Sequence, residues 1–263
     1  METYLFIDGG YLQERYKSAV ERFFGEPGEF DYRKFAAAVG ARRTYYYDCL
    51  HDVKLASESD LDVQKRVLAQ QSFFDELQSL PGFHVRLGSL SGTQRKLRQK
   101  KVDILLAVEA MENAFRKNME RVCIVAGDLD FAPLVDSLVR LGTYVEVCYD
   151  VSSAARGLYS AADFQRPMDL ASYHGWSSER FRARHPIPVR VAGAQPPHGT
   201  AGYTLVRVGR LGDDEVQLWV DRQQYYLFFP SFRGGPSLQG NFRDEKQLVR
   251  YFEAEYGAIH WAQ

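Results

Sequence analysis

The chain has little of what would place it in a class at once. No apolar stretch approaches the ~20 residues of a membrane-spanning helix, and Met1 leads almost directly into a strand pattern. A soluble, cytoplasmic protein with no signal peptide and no membrane span is therefore expected. Cysteine is scarce. Cys49, Cys123 and Cys148 share no pairing or zinc-type spacing, and two of them lie in or beside apolar strands. They read as small buried hydrophobes in a reducing compartment. No charge excess is present either: the net charge is −1, which excludes a globally basic nucleic-acid binder and leaves room for a local basic patch. No serine sits at a glycine-flanked strand-to-helix elbow, and no G-x-x-x-x-G-K loop occurs. His174, His185, His198 and His260 lack ligand spacing, and His84 on a strand reads as structural. Internal repeats and low-complexity stretches are absent.

What remains is an ordinary globular composition, 45% hydrophobic and 25% charged over 263 residues, enough for one large domain or two modest ones. Arg121 to Val139 organises the chain. Val122 to Ala126 is a β-branched run suited to a strand buried on both faces. Gly127 breaks it, Asp128 follows, and Asp130 precedes Phe131-Ala132-Pro133, where a first-turn proline announces a helix. In an open α/β sheet, ligands bind at the carboxyl ends of the strands, which is where both carboxylates fall. The other reading is that Asp130 caps the helix and Asp128 is a turn residue.

Tyr4 to Ile7 is a second buried strand, ending on Asp8-Gly9-Gly10, and Tyr11 to Phe24 reads as a helix. Core packing is the favoured role for Tyr11, against base stacking. Asp31 caps a short helix, and Arg43 to Asp48 is a strand with a tyrosine run. Leu61 to Leu80 reads as one long helix, with Val63, Val67, Leu68, Phe74 and Leu77 roughly in register. Phe83 to Leu87 is a strand. Ser89 to Lys101 is read as a loop holding the densest basic run, Arg95, Lys96, Arg98, Lys100 and Lys101. A helix from Val102 to Phe115 carries Asp103 in its first turn, and Tyr144 to Cys148 is a further strand. Ser152 to Tyr159 reads as a short helix, and Ala161 to Phe164 as a last sheet element. The alternation predicts a three-layer α/β/α domain with a mostly parallel sheet over residues 1–170. Prolines, glycines and arginines mark 171–200 as an irregular linker, and 201–263 reads as a small β-β-β-α module. Trp219, Tyr225, Tyr226, Phe228 and Phe229 there are read as core in preference to an RNA-stacking surface. Docking of a protein partner or a second copy is the other use open to that module.

The carboxyl ends of parallel strands share one edge, so Asp8, Asp128 and Asp130 are expected together, with Asp103 able to reach the same cleft. Clustered carboxylates repel unless a cation neutralises them, and oxygen-only ligands favour Mg²⁺ or Mn²⁺. Such ions stabilise charge developing on a phosphate, and the basic run would hold an anionic backbone nearby.

Asp8-Gly9-Gly10, Lys101-Val102-Asp103 with Leu106-Ala107-Val108, and Ala126 to Phe131 with Pro133-Leu134-Val135 resemble the NYN domain, and more closely its LabA-like branch among the PIN-like nucleases. Tyr45-Tyr46-Tyr47-Asp48 and Ala162-Asp163-Phe164 fit the same pattern, and the resemblance covers roughly residues 3 to 170. It implies a bacterial, metal-dependent ribonuclease with Mg²⁺ or Mn²⁺ held by Asp8, Asp103, Asp128 and Asp130, and metal-activated water leaving a 5′-phosphate. The chain departs from the family at Gly10, where Asn is usual, at Glu109, where Asp is usual, and at Ala126 and Leu129. Those departures motivate the alternative, a catalytically weak RNA-binding or protein-interaction module on the same fold. A phosphatase of the haloacid dehalogenase type is set aside because it needs an aspartate where Gly10 stands.

Overall fold

The structure, a computed structural model, describes residues 2–54, 58–93, 96–100, 102–153, 156–195, 197 and 202–262. The chain divides into two compact units. One holds Gly28–Ser178 with the chain up to Ala19, and the other holds Val20–Pro27 with the chain from Glu179 onward.

The first unit runs β1 (Thr3–Asp8), α1 (Gly9–Phe24, whose last turns belong to the second unit), α2 (Tyr32–Ala38), β2 (Arg43–Cys49), α3 (Asp60–Ser79), β3 (Phe83–Thr93), β4 (Lys96–Lys100), α4 (Val102–Phe115), β5 (Arg121–Val125), α5 (Ala132–Arg140), β6 (Tyr144–Asp150), α6 (Arg156–Tyr159), β7 (Phe164–Met168) and α7 (Leu170–Gly175). Its strands form one sheet in the order β4-β3-β2-β1-β5-β6-β7. All neighbours from β3 to β7 pair in parallel, and β4 pairs antiparallel to β3. The expected α/β architecture is present.

The tyrosine run shows how strand alternation builds both layers. Tyr45 and Tyr47 join Tyr4, Phe6, Val122, Ile124, Ala126, Val145 and Val147 in a core with Leu106 and Ala110 of α4 and Val135 and Leu138 of α5. Tyr46 points to the opposite face, edge-on to Tyr32 of α2 and tilted against Phe74 of α3. The long helix α3 is fixed mainly near its end: Phe74 and Leu77 are buried, Val63 and Val67 are half-buried, and Leu68 is exposed. Its start is defined by a capping box between Ser59 and Asp62.

Two readings change. Residues 89–101 are not a loop: β3 continues to Thr93 and turns back into β4, with Ser89 opposite Lys100, Ser91 opposite Arg98 and Thr93 opposite Lys96. Lys-Leu-Arg-Gln-Lys offers no apolar face, and a sheet edge is the place where such a strand is tolerated. Residues 171–200 are also less irregular than their composition implies, since α7 extends through Gly175 and α8 (Glu179–Arg184) and β8 (Val189–Ala192) follow. Asp169 caps α7 by accepting from the Ser172 amide at 2.8 Å.

The second unit contains α8 and β8, then β9 (Thr204–Leu211), β10 (Asp214–Val220), β11 (Tyr225–Phe229), β12 (Leu238–Phe242), α9 (Glu245–Tyr256) and β13 (His260–Trp261). Its six strands form an antiparallel sheet ordered β13-β9-β10-β11-β12-β8; five of them, β9 to β13, lie within 201–263, where the β-β-β-α reading expects three. Trp219, Tyr226 and Phe228 are buried together on one face, and Phe229 stacks on Phe252 of α9. These aromatics are core.

Candidate functional site

Asp8 is the last residue of β1, two residues beyond Phe6, so the strand period carries it to the layer that holds α4. The turn into α1 is tight because Gly9 lies against Tyr46: a Cβ there would stand 2.4 Å from the Tyr46 ring. The Tyr11 amide donates to Asp8 Oδ1 at 3.0 Å. The Tyr11 ring covers Gly127, where a Cβ would come within 2.2 Å of it, and its hydroxyl accepts from the Asp150 amide at 2.8 Å. Tyr11 therefore ties together the ends of β1, β5 and β6, a packing role that requires glycine at position 127.

Past the end of β5, Asp128 caps a short 3-10 turn, Leu129–Phe131, its Oδ1 accepting from the Asp130 amide at 3.0 Å. Helix α5 itself has Phe131 at its N-cap position and no side-chain cap bond, so the alternative reading in which Asp130 caps that helix does not hold. One Asp128 oxygen is left for a ligand. Asp130 sits in that turn, and Asp103 lies in the first turn of α4. Asp103, Asp128 and Asp130 are exposed and Asp8 is half-buried. Among the described residues, none of the four forms a salt bridge.

Electrostatics links the four. Burial pushes the Asp8 carboxyl from its ordinary 3.8 up to about 6, opposed by the Tyr11 N–H bond and reinforced by the charges of Asp103, Asp48 and Asp128. Asp103 is raised by burial first, then by Asp128 and Asp130. Asp8 thus feels Asp103 and Asp128, Asp103 feels Asp128 and Asp130, and no cationic side chain is among the causes.

Asp48, at the carboxyl end of β2, is a group that the sequence reading missed. It is 2% exposed, accepts from the Cys49 amide at 2.7 Å and from Tyr46 Oη at 3.2 Å, and raises the Asp8 value. The same strand-end logic that selects Asp8 would have found it, because β2 neighbours β1 in parallel register.

Glu109 does not belong to this cluster. Arg86 holds it in a forked pair, Nη2 to Oε1 at 2.8 Å and Nε to Oε2 at 3.0 Å, and Tyr47 Oη donates to Oε2 at 2.8 Å. Of the basic run, Lys96, Arg98 and Lys100 lie on β4, while Arg95 and Lys101 fall outside the described residues.

The all-oxygen donor set and its uncompensated charge fit a hard divalent ion. The quartet is nevertheless open. Three donor atoms come within 4.8 Å of one another at Asp48–Cys49–His51 and at Cys123–Glu146–Cys148 among the described residues, and not at the quartet.

Among the described residues no helix is long and apolar enough to cross a membrane. No curated protein matches the chain. Among solved structures it is similar to the crystal structure of VPA0982, a protein of unknown function from Vibrio parahaemolyticus. The two share 20% identity with a TM-score of 0.45, over 67% of this chain and 96% of that one. The NYN domain family model matches residues 2–169, the span that contains the sheet and all four carboxylates, and the chain belongs to the NYN domain family.

Proposed function

We propose that the NYN unit is a metal-dependent ribonuclease of the LabA-like branch, with Asp8, Asp103, Asp128 and Asp130 holding Mg²⁺ or Mn²⁺ at the carboxyl edge of the sheet. The observation that carries the reading is the half-buried Asp8, raised to about 6 by burial and by neighbouring carboxylates with no cationic side chain opposed to it. A nuclease-type fold that leaves its acids unpaired at the ligand-binding edge is arranged to receive a cation. When bound, the ion supplies charge neutralisation at the scissile phosphate and lowers the pKa of water.

The chain's own groups have separable tasks. The Tyr11 amide fixes one Asp8 oxygen and leaves the other for a ligand. Asp128 orients its carboxylate through the Asp130 amide. The basic β4 strand, with Lys96, Arg98 and Lys100, together with Arg95 and Lys101, is the proposed contact for the RNA backbone.

The second reading, a weakly active or inactive RNA-binding or protein-interaction module, draws on Glu109, which Arg86 and Tyr47 take out of the acidic cluster. One assay separates the two. Labelled RNAs and single-stranded DNA are incubated with Mn²⁺, Mg²⁺ or EDTA, comparing wild type with Asp128→Asn. RNA cleavage that needs metal and falls about a hundredfold or more in the variant is expected. Cleavage indifferent to metal and to Asp128 would overturn the ribonuclease proposal. RNA binding with no cleavage under any condition would favour the binding module.

A further inference from the structure

Apart from the acidic quartet, two groups of three donor atoms converge within 4.8 Å among the described residues: Cys123–Glu146–Cys148 and Asp48–Cys49–His51. The first is fully buried, and Glu146 is already ion-paired with Arg121 and Arg166. A cation placed there would meet two guanidinium groups and has no route from solvent.

The second group is built differently. Asp48 is 2% exposed and Cys49 fully buried, while His51 is exposed. The three donors thus converge with two of them buried and the imidazole at the surface. Among the described residues no lysine or arginine forms an ion pair with Asp48, so its buried carboxylate is held by hydrogen bonds from Tyr46 and the Cys49 amide. Burial raises its pKa, with the His51 charge acting in the other direction.

Gln70 of α3 holds the bend that brings the donors together. Its Nε2 donates to the Cys49 carbonyl at 2.9 Å and its Oε1 accepts from the His51 amide at 2.8 Å. The same Nε2 reaches His51 Nδ1 at a longer 3.2 Å. That is the one bond the ring must exchange, or retautomerise around, in order to ligate.

We propose that Asp48, Cys49 and His51 form a zinc site at the carboxyl end of β2, with carboxylate oxygen, thiolate sulfur and imidazole nitrogen as three ligands and water as the fourth. Sulfur and nitrogen donors select a borderline ion over Mg²⁺, which prefers oxygen. Ligation converts the Cys49 thiol to a thiolate, its proton passing to solvent, so affinity falls as pH falls. This site differs in chemistry from the carboxylate quartet and does not depend on the ribonuclease proposal.

The test is titration of the full-length protein with Co²⁺ as a spectroscopic stand-in for Zn²⁺, in excess Mg²⁺ so that oxygen-only sites are occupied. Wild type is expected to develop a thiolate-to-cobalt charge-transfer band with tetrahedral ligand-field bands, both abolished by added Zn²⁺. Cys49→Ser should remove the charge-transfer band. His51→Ala, at an exposed position where folding is not at risk, should weaken Co²⁺ binding by about tenfold or more. Asp128→Asn and Cys123→Ser should leave the bands intact. Absence of the band in wild type, its persistence in Cys49→Ser, its loss in Cys123→Ser, or unchanged affinity in His51→Ala would each overturn the assignment. Should Cys49→Ser fail to fold, the His51→Ala titration decides alone. No readout requires cleavage, so failure here and failure of the ribonuclease proposal remain distinguishable.

Discussion

Two carboxylates in one sheet receive opposite treatment. Glu146, in the middle of β6, is fully buried and held by Arg121 from β5 on one side and Arg166 from β7 on the other. Asp8, at the end of β1, is only half-buried, yet it stands among Asp48, Asp103 and Asp128 with no counter-charge among the described residues. The same sheet compensates a more deeply buried acid with two guanidinium groups and leaves the edge uncompensated. Glu109 belongs with Glu146, since Arg86 pairs with it in a fork. Glu146 and Glu109, away from the strand ends, are paired with arginines; Asp8 and Asp48, at the strand ends, are not, however deeply they are buried. The difference supports the proposal that the edge receives an external cation, because burial alone would have demanded pairing at Glu146 and Asp8 alike.

The comparison breaks most visibly at its paired member. Glu146→Gln leaves Arg121 and Arg166 partly buried without an anion, and a loss of about 3 kcal/mol in unfolding free energy is expected. Chemical denaturation at pH 7 measures it. The variant should keep wild-type cleavage per folded molecule, since Glu146 lies outside the acidic quartet. A loss below about 1 kcal/mol would mean that the two ion pairs barely offset desolvation, and the contrast with Asp8 would lapse.

The unpaired member is expected to behave in the opposite sense. Asp8 titrates near 6 in the native state against an ordinary 3.8. Between those values the native chain binds more protons than the unfolded one, so metal-free stability falls as pH rises from about 4 to about 6. Above that window the penalty is on the order of 2 kcal/mol after allowance for partial exposure. Asp8→Asn should therefore stabilise the metal-free protein by that amount at pH 7 and by nothing below about pH 4. Saturating Mg²⁺ should recover stability in wild type and not in the variant. Thermal melts across pH, with EDTA or Mg²⁺, read both effects. Destabilisation by Asp8→Asn at pH 7 would show that the Tyr11 hydrogen bond to the charged carboxylate outweighs its burial and the repulsion.

Much of this arrangement was legible beforehand. Apolar runs broken by Asp-Gly and Gly-Asp identified β1 and β5, and the parallel-sheet rule put Asp8 and Asp128 on one edge. Strand β4 was illegible because Lys96 to Lys100 has no apolar face and exists by pairing with the extension of β3. Helices α7 and α8 were hidden by the prolines that follow them. The fate of Glu109 depended on register: β3 sets Arg86 opposite Tyr47, and only that pairing brings guanidinium and phenol to the same carboxylate. Asp48 is legible in principle, as the carboxylate at the end of a strand, but the tyrosine run before it dominates the pattern.

Register also supplies the smallest expected effect and the sharpest refinement. Arg86→Ala removes the forked pair and leaves Glu109 with the Tyr47 hydroxyl alone. Because the Arg86 side chain is 38% exposed, the loss in stability should be only about 1 kcal/mol. If the fold withholds from the metal those acids it pairs, releasing Glu109 adds a carboxylate to the layer that already holds Asp8 and Asp103. Mn²⁺ affinity measured by calorimetry should then tighten about threefold, roughly 0.6 kcal/mol. Arg86→Lys, which keeps the charge and loses the fork, should fall between the two. Unchanged Mn²⁺ affinity in Arg86→Ala, at the expected cost in stability, would limit Arg86 to structural pairing and leave the four strand-edge aspartates as the whole of the cation's anionic environment.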